Sequence, residues 1–120
     1  MKHVKFRVSP YPPEIHVCSL DFPILTKLHL DPAHLPVDKS FLADSMPAQS
    51  KRGTDVVLIR LPEKYDEETL WHESIHAAAY LLDAVGASFG ADSMDTVIYP
   101  TEYIVKTIKK RFYGIGKKGG

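Results

Sequence analysis

The chain has 120 residues, of which 44% are apolar or aromatic, enough for one domain with a modest core. Fifteen basic residues balance fifteen acidic ones, so bulk charge gives no argument for a nucleic-acid or membrane partner. Cys18 is the only cysteine, which excludes an intramolecular disulfide and fits a reducing compartment.

In chain order, residues 3–8 alternate Val4, Phe6 and Val8 with Lys5 and Arg7, the period of a half-buried strand. Pro10 to Pro13 interrupts it. Alternation resumes over 14–20, predicting a second strand that pairs with the first as a hairpin. From Asp21 to Gly53, Pro23, Pro32, Pro36 and Pro47 cut the chain into short pieces. That stretch reads as loops with one helical turn near 39–45. Residues 54–62, "TDVVLIRLP", give the clearest strand, over 55–61.

A long helix follows. Asp66 is placed to cap it, Glu67 and Glu68 suit its positive end, and Gly86 suits the residue just past its last turn. Trp71, Ile75, Ala78, Leu82 and Val85 follow helical spacing and predict its buried side. A second helix is expected from Pro100 or Thr101 to about Phe112, with 86–99 as a loop containing Gly90, Asp92 and Asp95. Lys106, Lys109, Lys110, Arg111, Lys117 and Lys118 complement that helix's negative end and enter a flexible basic tail over 113–120.

The chemistry lies in "TLWHESIHAAAYLL". His72 and His76 are four apart, on one side of the helix, where two imidazoles can hold one ion. Glu73 is about 100° further round, too far to ligate beside both but near enough to act as a general base on water. This His-Glu-x-x-His spacing is the zinc-peptidase arrangement. Charged groups on so apolar a helix are costly unless paired or ligated. The extension of the motif by glycine and histidine is missing, because Ala79 and Leu82 occupy those places. The third ligand must therefore come from elsewhere. Glu102, returning on the second helix, is the first candidate; Asp92 and Asp95 are alternatives. Asp83 is either an orienting partner of an imidazole or an exposed helix residue.

The segment 54–112, with "DVVLIRL" before the motif and "PTEYIV" after it, resembles the small zinc metallopeptidase-like domains often encoded by phages and bacteria. These are minimal zincins with a glutamate ligand. The resemblance implies zinc held by His72, His76 and Glu102, with Glu73 as general base acting on a peptide or protein substrate. It implies a minimal zincin-like α+β domain over 1–120. A small antiparallel or mixed sheet from 3–8, 14–20 and 55–61 packs on the motif helix, and the second helix closes the site. Strand 55–61 is expected to align an extended peptide by edge pairing. The rival is a non-enzymatic zinc-containing protein, such as a phage-encoded factor, that acts by binding a host protein.

Other residues carry weaker expectations. His16 and Cys18 share a strand face, most simply as a buried thiol beside a tilted imidazole. Tyr99 and Tyr103 bracket Glu102, as packing residues with wet tips or as oxyanion donors. His29 and His34 read as loop residues. The lysines lack interleaved aromatics, so a nucleic-acid partner is not expected. With no signal-like start and no membrane-length apolar run, the expected location is cytoplasmic, meaning the host cytoplasm for a phage protein.

Overall fold

The structure, a computed structural model, describes residues 3–19, 43–49, 55–86 and 94–115. Within them β1 (His3–Arg7), β2 (Glu14–Ser19), β3 (Asp44–Gln49) and β4 (Asp55–Leu61) precede α1 (Glu67–Ala84) and α2 (Met94–Arg111). The strands form one sheet in the order β1-β2-β4-β3. The β1–β2 and β3–β4 pairings are antiparallel and the central β2–β4 pairing is parallel, so the sheet is mixed. No helix among the described residues is long and apolar enough to cross a membrane.

Alternation dictates the two faces of this sheet. Val4 and Phe6 of β1, Ile15 and Val17 of β2, and Val57 and Ile59 of β4 point to one face. There Phe6, Ile15, Val17, Val57 and Ile59 meet Leu70, Ala77, Ala78, Leu81 and Leu82 of α1 and Val97, Ile104, Val105 and Ile108 of α2 in one core. Each fully buried Leu, Ile or Val there contributes about 1.5–3 kcal/mol of transfer free energy. On the other face Cys18, Ala48, Val56 and Leu58 make a smaller cluster. The hairpin and the strand before the motif helix are as the alternation predicted.

Several expectations need correction. β3 was not anticipated: residues 44 and 45 lie in a strand, not in a helical turn, while 39–42 lie outside the described residues. Pro47 hid it, because proline argues against a strand except at a sheet edge, which is where β3 lies. β4 is paired on both sides, so it has no edge to offer a peptide; the unpaired flanks among the described strands belong to β1 and β3. The second helix starts at Met94, with Pro100 inside it, so 94–99 is not loop. Proline at that point removes one backbone hydrogen bond without ending the helix. Tyr113, expected in a flexible tail, is docked: its hydroxyl donates to the Pro62 carbonyl at 2.8 Å, and burial pushes its pKa up to about 12.

α1 starts as read, with the Asp66 carboxylate accepting from the Thr69 backbone N–H at 3.1 Å and also from the Thr69 hydroxyl. Gly86 follows its end at φ 78°, in the left-handed region that suits glycine. Its buried side is the expected one only at Ala78 and Leu82. Leu70, Glu73, Ser74, Ala77, Ala78, Leu81 and Leu82 are buried, whereas Trp71, Ile75 and Val85 are 36%, 43% and 51% exposed. A helix apolar nearly all round has no single stripe to read. The contacts to the sheet and to α2 chose it.

Candidate functional site

Glu73 is the one charged side chain buried on α1, only 8% exposed. It faces edge strand β3, where the Ser45 hydroxyl donates to its carboxylate at 2.8 Å. The Tyr80 hydroxyl, two turns further along, donates to the Ser45 carbonyl at 3.4 Å. Ser45 is opposite Ile59 in the β3–β4 register and so lies on the helix-covered face. These contacts mark the side of α1 that looks at β3. The opposite side is marked by Glu67, whose carboxylate accepts from Lys109 of α2 at 2.9 Å.

His72 and His76 are exposed, contrary to the impression of a wholly buried segment. At about 100° per residue they lie roughly 40° apart, on the shoulder of α1 next to Tyr80. Their Nε2 atoms are 3.2 Å apart and their rings meet edge to face. Two nitrogens at that spacing, each about 2.05 Å from a common ion, subtend about 100° there, close to the tetrahedral value zinc prefers. The pair therefore fits two of zinc's ligand positions.

The structure does not bring Glu102 to this pair. Among the described residues no three His, Cys, Asp or Glu side chains form a group able to hold a metal. Glu102 is exposed on α2. Glu67 meets Lys109 and the earlier Tyr65 meets the later Tyr113, so the helices run antiparallel, and Glu102, seven residues before Lys109, would come roughly level with Ser74. Its height matches the midpoint of the histidine pair. Its side does not, because α2 flanks α1 near Glu67, well round from His72 and His76. Asp92 lies outside the described residues, and of Asp95 only the helical backbone is described. Asp83 is exposed and, seven residues after His76, lines a cavity on the same side of α1.

Tyr99 and Tyr103 are 57% and 41% exposed on α2, with ring centroids 6.5 Å apart. Together with Ile98, Trp71 and Ile75 they give the outer surface of the two helices an apolar character. His29 and His34 lie outside the described residues.

The other face of the sheet holds a polar chain that sequence reading missed. The His16 ring lies 2.9 Å from His3 (Nδ1 to Nε2) and 2.9 Å from the Glu14 carboxylate through Nε2. The two imidazoles stack with 6° between their planes. Hairpin pairing, which sets Lys5 opposite His16 and His3 opposite Cys18, was the available signal. Burial lowers the pKa of both rings; Lys5 adds to this, and Glu14 opposes it. Because the folded values lie below the unfolded value of about 6.5, the unfolded chain binds more protons beneath that pH. The contribution is fully present above about pH 6.5 and is lost as pH falls through the folded values. The melting temperature of chelator-treated protein is therefore expected to fall between pH 7.5 and pH 5.5. The fall is expected to shrink in the His3→Gln/His16→Gln double variant; an unchanged pH slope in that variant would contradict the assignment.

Compared with protein-family models, curated proteins and solved structures, the chain shows no match.

Proposed function

We propose that the protein is a zinc-dependent hydrolase of peptide bonds. The observation that carries this reading is the His72–His76 nitrogen pair, 3.2 Å apart, one residue from a buried glutamate. His72 and His76 would hold the metal through Nε2. Zinc bound there would polarise the scissile carbonyl and acidify a water molecule. Glu73 takes the proton of the attacking water on its carboxylate and returns it to the leaving amine. The Ser45 hydroxyl, donating to that carboxylate, holds its orientation. Among the described strands β3, rather than β4, has the unpaired flank alongside Glu73 on which an extended substrate can lie.

Glu102 is the proposed third ligand. Its level along the helices supports this and its side of α1 does not, so a comparison of variants decides. Glu102→Ala is expected to weaken zinc affinity by at least tenfold, while Asp92→Ala and Asp95→Ala leave it unchanged. Titration with a competing chelator measures all three. A loss confined to an aspartate variant would move the third ligand to the connection between the helices.

A second reading is a zinc-containing protein that acts by binding another protein. Trp71, Ile75, Ile98, Tyr99 and Tyr103, all at least 36% exposed, favour it, because aromatic and aliphatic groups on two adjacent helices suit a protein contact. This reading has no use for Glu73 as a base, and the two separate there.

A further inference from the structure

A cavity of about 310 Å³ opens where β3 ends, β4 begins and α1 passes its last turns. Pro47 and Val57, on the helix-covered face of the sheet, supply apolar wall. Tyr80 lines it from α1, and Asp55 and Asp83 bring carboxylates to it. No lysine or arginine lines it among the described residues. The Gln49 side-chain amide donates to Asp55 at 2.9 Å and holds that carboxylate in place.

The cavity is aligned with the proposed catalytic groups by two independent rulers. Along α1, Asp83 follows His76 by seven residues, on the same side and about 10 Å on. Along β3, Ser45 is at Glu73, and Pro47 and Gln49, on the same face, are at the cavity, two to four residues and roughly 7–13 Å on. A peptide extended beside β3 would thus present a side chain to the cavity two to four residues from the bond near Glu73. Apolar wall suits a methylene stem, and two carboxylates with no lysine or arginine beside them among the described residues suit a positive head.

We propose that this cavity is a specificity pocket for a lysine or arginine side chain of the substrate, an inference that rests on the hydrolase reading. Asp55 and Asp83 pair with the cationic head, and Pro47 and Val57 pack on its stem.

The test uses zinc-loaded full-length protein and a mixture of peptides from a digested bacterial proteome, with cut positions read by mass spectrometry. Cuts are expected to carry lysine or arginine at one fixed position two to four residues away. The Asp55→Asn/Asp83→Asn variant, whose substitutions are on exposed residues, is expected to lose about tenfold of that preference. Cutting without a basic preference overturns the pocket and leaves the hydrolase reading intact. If nothing is cut, binding of acetylated Ala-Ala-Arg-Ala-Ala amide and its lysine and norleucine analogues to the same protein decides. Basic peptides held about tenfold tighter than norleucine, an advantage lost in the double variant, uphold the pocket while the hydrolase reading falls. Equal binding of all three overturns both.

Discussion

Glu73→Gln is expected to fold and bind zinc like the wild type and to lose about 10²–10⁴-fold of its hydrolytic rate. Glutamine keeps the size of the side chain and keeps an oxygen that accepts from Ser45, so the 2.8 Å contact with β3 survives. It cannot take a proton. The burial of Glu73 makes this substitution informative, because a truncation to alanine would also open space between α1 and β3. The measurement has two parts: zinc per chain by elemental analysis, and cleavage rate on the peptide mixture. Loss of zinc together with rate would make Glu73 a ligand. Full biological effect with zinc intact would instead favour the binding protein.

His76→Ala is expected to lose nearly all zinc at micromolar protein. Removing one of the two exposed imidazoles breaks the nitrogen pair on which the proposed site rests. The fold itself should persist in the metal-free state, since His76 is exposed and takes no part in the core. Added zinc is therefore expected to raise the melting temperature of the wild type, by mass action on the folded form, and to leave that of His76→Ala unchanged. A variant that still gains stability from zinc would place the metal elsewhere, with the His3–His16 pair the next position to substitute.

What the sequence shows and hides follows from the range of each interaction. Strands β1, β2 and β4 were legible because alternation is a local property, and the cap at Asp66 because it acts over three residues. The His72–His76 spacing was legible for the same reason: the helix alone sets it. β3 was not legible, because Pro47 is tolerated only by virtue of an edge position that the whole sheet decides. The start of α2 was misplaced by treating Pro100 as a boundary, when burial of Val97, Ile104 and Ile108 carries the helix through it. The partner of Glu73 lies 28 residues away on β3, so no local pattern could give Ser45. Glu102 shows the same limit from the other side. Helix return speaks only to its height along α1, whereas the side on which α2 flanks α1 is fixed by core packing and the Glu67–Lys109 contact.

Zinc-edge X-ray absorption on protein purified without chelator tests the central claim most directly. The account predicts one zinc per chain, with two imidazole nitrogens at about 2.0–2.1 Å and the remaining positions filled by oxygen, one of them exchangeable with added inhibitor or anion. Folded protein without zinc, or a shell closed by four protein ligands with no exchangeable position, would contradict it.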